Sequence, residues 1–350
     1  MENKLNIGVI FGGQSGEHEV SRVSAYNVLR VINQEKYNIV TIGITKKGKW
    51  YLYSGDHEKI KDGSWEQDSK NLIGDFSIFA HPEITKIDVF FPVLHGPMGE
   101  DGTIQGVFEM LNKPYVGCGV LGSAVGMDKV FSKIMFESVE IPTGNYWYFR
   151  KNDWKKDPEG KLEEMEKALG YPIFVKPANM GSSVGISKAH NREELIAAIE
   201  EAFIYDDKLI MEAFIKGREI ECGVLDDGGM LCASIPGEVI PSKEFYDYEA
   251  KYSDTQDSKV VIPANISDEA TEMIREYAVK AFEAIEGSGL SRVDFFLTED
   301  GQILINEVNT LPGFTNISMY PKMWEATDIC YSDLVDKIIA SANRKRVTLP

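Results

Sequence analysis

The stretch Leu290–Asn309, LSRVDFFLTEDGQILINEVN, decides how this 350-residue chain is read. Two runs with apolar alternation flank Glu299-Asp300-Gly301-Gln302, which predicts a β-hairpin closed by the two-residue loop Asp300-Gly301. With that loop Asp294 faces Glu307 and Arg292 faces Asn309. All four side chains share one face, because side chains alternate along a strand. Carboxylates directly across a ladder stand roughly 4.5 to 5.5 Å apart and repel unless a cation lies between them. Acid, acid and amide oxygens suit a hard divalent cation such as Mg²⁺, which keeps several waters and bridges to substrate phosphates. The plain alternative is a surface hairpin with a solvated polar face, and one residue of slippage would dissolve the pairing.

Outward from the hairpin, the chain is too long for one ordinary core, so two or three domains are expected. With 43% hydrophobic and 26% charged residues it has a soluble globular composition. A net charge of −18 argues against a nucleic-acid partner, whose phosphates would be repelled, but leaves room for a nucleotide held by local lysines. Cys118, Cys222, Cys232 and Cys330 lack metal spacing and read as reduced thiols of a cytoplasmic protein. Neither a signal segment nor a membrane span is visible.

Asn6 to Phe11 reads as a strand, Gly12 to Glu17 as a glycine turn, and His18 to Ile32 as a helix, the opening of a doubly wound α/β domain. The glycines do not have dinucleotide spacing. Glu17 suits a ligand ammonium or simply the helix dipole. Strands Asn38–Ile44 and Ile87–Leu94 follow, separated by a polar region, Lys46 to Ala80, read as solvated surface. The second ends in HGPMGEDG, which places His95 where ligands sit in open α/β sheets; a structural histidine is the alternative. Glycines near Gly117–Gly122 mark a domain boundary. A helix is expected over Ser123–Val139, carrying Asp128, Lys129 and Lys133. A strand over Tyr146–Arg150, a helix over Trp154–Leu169 and a strand ending at Lys176 come next. The loop ANMGSSVG then offers small residues, whose amides approach phosphate closely, with Lys129 and Lys176 as point charges. A plain hairpin turn is the competing reading, and Ile186-Ser187-Lys188 continues as a strand either way. Glu212, in the strand Leu209–Ile215, could accept from an adenine amino group or be an edge-strand acid without a role. Past strands Arg218–Leu225 and Met230–Val239, the aromatic stretch Ser242–Val260 reads as a lid that excludes water. A helix over Asp268–Glu286 leads into the hairpin, and Thr310–Ser318 is a Gly-Pro loop whose amides suit an oxyanion or carboxylate.

Seven segments in order, GGQSGEHEVS, HGPMGEDGTIQG, MDK, VKPANMGSSVG, FYDYEAKY, RVDFF and NEVNTLPGFTNISMYP, resemble the D-alanine–D-alanine ligases of the ATP-grasp superfamily. The resemblance implies a three-domain α/β architecture: an N-terminal doubly wound parallel-sheet domain (1–120), a central ATP-grasp unit (121–215) and a C-terminal one (216–350) with a mobile lid (242–260). ATP is expected between the last two. By the same resemblance Lys129 and Lys176 hold the phosphates, Ser182 and Ser183 cover them, and Lys251 reaches them from the lid. Glu212 and Glu219 take the adenine and ribose ends, with Phe214 and Ile215 near the base. Asp294, Glu307 and Asn309 bind two Mg²⁺ or Mn²⁺. Glu17 meets the first D-alanine's ammonium with His95 nearby, and Glu17, Ser182 and Tyr252 tie that substrate to the loops. Arg292 and the Gly313 amide stabilise the oxyanion, and Ser318 and Met319 receive the second carboxylate. The implied product is D-alanyl-D-alanine for peptidoglycan precursors, made through a D-alanyl phosphate by a cytoplasmic homodimer. D-Alanyl-D-serine synthesis is the alternative, hinging on residues such as Met319, Lys322 or Phe245. D-Lactate use is disfavoured, since the lid carries Tyr252 and no histidine follows His190.

Overall fold

Nearly continuous apolar strands need cover on both faces, and the head of the chain receives it in the computed structural model, which describes residues 4–74, 76–181, 184–241 and 258–344. Strand β1 (Leu5–Gly12) lies parallel to β2 (Tyr37–Ile44) on one side and β5 (Val89–Pro92) on the other. The helix His18–Val31 packs Ala25, Val28 and Leu29 on the Ile7/Val9/Phe11 face, while Ile104 and Phe108 of the helix Thr103–Met110 cover Ile10 and Phe90. The loops after β1 and β5 therefore open at one end of the sheet.

The segment expected as solvated surface is built into this sheet. It supplies β3 (Trp50–Tyr53) and β4 (Leu72–Ile73), antiparallel additions that give the order β4-β3-β2-β1-β5. Trp65 from the same segment is fully buried, its ring 4.9 Å from that of Phe11. Gly43 makes room for it, since a Cβ there would come within 2.4 Å of the indole. One buried tryptophan in a polar run has no periodicity, so the local pattern does not announce it.

The second sheet, β6 (Tyr146–Arg150), β7 (Ile173–Pro177), β8 (Ser187–Ala189) and β9 (Lys208–Ala213), is antiparallel in the order β6-β9-β7-β8. β7 and β8 form the expected hairpin around the Gly-Ser loop. Two helices expected as continuous are broken at aspartates. Asp128 has extended backbone and caps Lys129–Ser138 by accepting from the Val130 and Phe131 amides. Asp157-Pro158 separates Lys151–Lys156 from Pro158–Leu169, with proline at the start of the new helix.

The third sheet contains β10 (Gly217–Asp227), β11 (Met230–Ala233), β12 (Gly237–Pro241), β13 (Ser258–Val261), β14 (Leu290–Thr298) and β15 (Ile303–Asn309). Its order is β13-β12-β10-β14-β15, with β11 beside β10. Helices Asp268–Ala284 and Lys129–Ser138 cover one face through Ile274, Ala278, Phe282 and Phe136. The other face carries Glu219, Glu221, Arg292 and Asp294, while Leu225 and Leu290 on the same face join the core of the first sheet. The last helix, Tyr331–Arg344, returns to the first sheet, where Leu334, Val335 and Ile338 join the core of Ile7 and Val9. That docking brings the loops after β1 and β5 against the segment after β15.

The opening hairpin forms, but with a different turn. The Thr298 N–H donates to Gln302 O and the Gly301 N–H to Thr298 O, so three residues, Glu299-Asp300-Gly301, close the loop, and Gly301 takes φ +85°. The longer loop shifts the ladder by one residue, pairing Phe295 with Ile305 and Leu297 with Ile303. A bulge at Asn306 shifts it back, so Asp294 still faces Glu307 and Arg292 still faces Asn309. Without the bulge, Glu307 and Asn309 would follow Ile303 and Ile305 into the core.

Among the described residues no helix is long and apolar enough to cross a membrane. Ser182, Ser183, Lys251, Tyr252, Phe245 and residues 242–257 of the expected lid lie outside the described residues; 258–260 belong to β13.

Candidate active site

A cavity of about 370 Å³ lies between the second and third sheets, floored by the loops at the open end of the first. Glu17, His95, Lys129, Lys176, Glu212, Phe214, Ile215, Glu219, Arg292, Asp294, Glu307, Asn309, Gly313, Ser318 and Met319 all line it, so the sequence-based candidates within the described residues converge.

One wall is cationic. The cap at Asp128 starts the helix that carries Lys129, and Lys133 lies one turn further on the same side. Lys129 Nζ donates to Met180 O at 2.6 Å, at the entry to the Gly-Ser loop. The buried Lys133 ammonium lies 2.8 Å from Glu212 Oε1, and Lys176 pairs with Glu212 Oε2. β9 is an interior strand, so Glu212 is not an edge acid; both its oxygens are taken by lysines. Burial alone would raise its pKa, but Lys133 and Lys176 hold it well below the carboxylate range. Burial likewise opposes the charge on Lys176, yet Glu212, Glu307 and Glu219 raise its pKa. The two ammonium groups are thus held in place by one carboxylate. Behind them Asp128 also pairs with Lys208, a buried bridge from the helix start to β9. Beyond Lys176, Phe174 and Phe214 lie with ring centroids 6.3 Å apart beside Ile215 and make an apolar slot.

The facing wall is acidic. Pairing of β10 with β14 sets Glu221 opposite Asp294, and β14 with β15 sets Asp294 opposite Glu307, so three carboxylates cross three strands in one row. Where the hairpin pairing predicts a cation between the acids, the structure places a guanidinium beside them. Arg292 donates from Nε and Nη2 to Asp294 at 2.7 Å each, and its Nε lies 3.0 Å from Glu221. Against the cost of burial, Asp294, Glu221 and Glu307 raise its pKa well above the ordinary value. Among the described residues Nη1 has no partner. Asn309 Nδ2 donates to Asp294 at 3.0 Å, which leaves its amide oxygen for another ligand.

Glu219, Glu221, Asp294 and Glu307 share this wall with Arg292. No cluster of three or more His, Cys, Asp or Glu residues poised around a metal occurs among the described residues. The oxygen-only set of Asp294, Glu307 and Asn309 nevertheless fits a hard cation that takes few protein ligands.

The floor is buried and tightly hydrogen-bonded. Leu311 O can only accept, so His95 Nδ1 carries the proton (3.2 Å), and Nε2 accepts from Ser24 Oγ (3.0 Å). Burial pushes the imidazole pKa down to about 4. Both ring nitrogens of His95 are thus committed to the protein, and what it offers a substrate is a wall. The buried Glu17 carboxylate is wedged between two glycines: a Cβ on Gly96 would come within 2.3 Å of Glu17 Oε2, one on Gly181 within 2.7 Å. Beside it, burial and the Glu17 charge push Glu100 up to about 8. Ser318 Oγ accepts from the Thr315 N–H at 2.9 Å ahead of the helix Met319–Glu325, and Met319 packs on Val239 and Met323. The Gly313 N–H has no acceptor among the described residues.

Glu100 makes pH a probe of the floor. A carboxyl whose folded pKa is about 8 against an ordinary 4.5 contributes stability that is complete below 4.5 and lost by the time pH passes 8. The thermal midpoint of Glu100→Gln should therefore gain on that of the parent between those limits and run parallel above them. A constant difference across the range would contradict the shift.

Lys133, Glu221 and Glu100 are site residues to which the sequence reading gives no role. Lys133 could have been found four residues after Lys129 on a helix, and Glu221 two residues after Glu219 on a strand.

The comparisons with known proteins point to one family. The family models described as D-ala D-ala ligase N-terminus and C-terminus match residues 6–118 and 135–340. The D-alanine--D-alanine ligase of Acetivibrio thermocellus is 50% identical over 362 residues, covering 97% of this chain and 96% of that protein. That of Ruminiclostridium cellulolyticum is 51% identical over 360 residues, with the same coverage. Among solved structures, the VanG D-Ala:D-Ser ligase from Enterococcus faecalis superposes with a TM-score of 0.88 at 41% identity, over 97% of this chain and 100% of that one. The D-alanine-D-alanine ligase from Coxiella burnetii gives 0.84 at 36%, over 98% and 95%.

Proposed function

This chain belongs to the D-alanine–D-alanine ligase family, and from that premise we infer that its cleft joins two D-alanines to D-alanyl-D-alanine at the expense of ATP. The observation that carries the reading is the meeting of a charged lysine wall, an acidic wall and a glycine loop around one cavity. ATP is the co-substrate. Its phosphates take Lys129, Lys133 and Lys176, with Ser182, Ser183 and Lys251 covering them. Its base takes the slot of Phe174, Phe214 and Ile215, and its ribose Glu219.

A carboxylate is a poor electrophile, so the first D-alanine must be activated. With its ammonium on Glu17, its carboxylate oxygen attacks the γ-phosphorus, ADP leaves, and a D-alanyl phosphate forms. The second D-alanine, its carboxylate received at Ser318 and Met319, presents a neutral amine. That nitrogen attacks the acyl carbon, the C–O bond to phosphate breaks, and the proton lost from nitrogen goes to the departing phosphate. Arg292 Nη1 and the Gly313 amide stabilise the oxyanion between these events. Asp294, Glu307 and Asn309 would hold two divalent cations, which neutralise phosphate charge when bound. Tyr252 and the lid exclude water, which would otherwise hydrolyse the acyl phosphate. The units 1–120, 121–215 and 216–350 form one cytoplasmic homodimeric enzyme supplying peptidoglycan precursors.

Incubation with ATP, Mg²⁺ and single or paired D-amino acids tests the substrate assignment. Dipeptide from D-alanine alone, formed in preference to D-alanyl-D-serine when both amino acids are present, is expected. Predominant mixed dipeptide would instead match the D-Ala:D-Ser specificity for which the Enterococcus faecalis relative is named.

A further inference from the structure

We propose that Glu100, together with His95 and Ser24, is a positioning residue that sets the oxyanion loop by clamping the backbone of Leu311. The inference rests on the oxyanion role given to Gly313 and goes beyond it by naming what holds that amide in place. Both backbone groups of Leu311 are held from one loop of the first sheet. Its N–H donates to Glu100 Oε1 at 3.3 Å, and its C=O accepts from His95 Nδ1 at 3.2 Å. Glu100 Oε2 meanwhile accepts from the Gly96 N–H at 2.6 Å, so the carboxyl bridges its own loop to a residue 211 positions away. The Ser24 hydroxyl donates to His95 Nε2 and accepts from the Phe314 N–H at 3.3 Å. Leu311 and Phe314 are therefore pinned on either side of Pro312-Gly313, while the Gly313 N–H between them is left for a ligand.

Gly313 cannot adjust by itself, because a Cβ there would come within 2.8 Å of Ser318 Oγ and the loop is packed against the start of the next helix. Its position is fixed by its neighbours. A donor serves an oxyanion only when aimed at the place where charge develops, so small rotations of this loop act on the reaction more than on substrate binding. None of the three side chains needs to touch the reacting atoms.

The test uses the full-length enzyme at a pH above 8, where the Glu100 carboxyl is ionised and both of its oxygens accept, with Glu100→Gln, whose single carbonyl oxygen can accept from only one of the two amides, and Glu100→Asp, whose shorter arm cannot span both. Hydrogen exchange of the peptide covering 311–314 and steady-state kinetics are read together. Both variants should raise exchange at 311–314 and lower kcat about 10- to 100-fold with the KM for ATP unchanged, since part of one oxyanion donor's effect is lost. Unchanged exchange in folded variants overturns the clamp, and faster exchange with parental kcat overturns its catalytic purpose. Failure of the underlying oxyanion reading has a separate signature: Arg292→Ala would ligate at the parental rate whatever Glu100 does.

Discussion

Arg292→Ala should lower kcat for dipeptide formation by about 100- to 1,000-fold, with little change in the KM for ATP, the effect of removing one oxyanion donor. Two of its nitrogens are committed to Asp294 and Glu221, which fixes the direction of the third. The partner-free Nη1 is the group that a transition state would use. Charge alone is not sufficient. Arg292→Lys restores a cation but not the planar fork that grips Asp294, so it should recover only part of the loss. Because the variant leaves Asp294, Glu221 and Glu307 without their arginine, the rates have to be read at saturating Mg²⁺. If Arg292→Ala ligates as fast as the parent, the oxyanion role is wrong.

The second large effect belongs to Glu212→Gln. Removing the carboxylate between Lys133 and Lys176 leaves two buried ammonium groups without their counter-charge, which costs about 3 to 5 kcal/mol when one partner of a buried pair is lost. Urea midpoints should fall accordingly with little change in slope. The pH dependence has a definite sign. The folded pKa of Glu212 lies below its ordinary 4.5, so its contribution is present above that value and lost as pH falls through the lower one. Stabilities of parent and variant should converge in acid. ATP phosphates would replace the missing charge, so saturating ATP should stabilise the variant more than the parent. Equal stability at neutral pH would show that the lysines do not depend on Glu212.

The face of Arg292, Asp294, Glu307 and Asn309 is legible in the sequence because two departures cancel. The turn is one residue longer than Asp300-Gly301 suggests, and the bulge at Asn306 restores the register before the functional pairs. The lysines of the other wall are legible as charges next to small residues. What holds them is not, since Glu212 becomes a lysine clamp only once β9 is known to lie inside its sheet. Glu221 acquires meaning from the neighbourhood of β10 and β14, strands about 70 residues apart, a pairing that local periodicity does not encode. His95 stays ambiguous between function and structure because its two partners, Ser24 and Leu311, come from opposite ends of the chain. Lys46–Ala80 misleads for a similar reason: its contribution is Trp65, seated on a sheet face that other segments build.

The central claim is that the cleft activates a D-alanine carboxylate by phosphorylation before the amide bond forms. D-Alanine carrying ¹⁸O in its carboxyl group, turned over with unlabelled ATP and Mg²⁺, reads this step directly. One carboxyl oxygen should leave with the phosphate released for each dipeptide made. Phosphate without ¹⁸O, at normal dipeptide yield, would contradict the account.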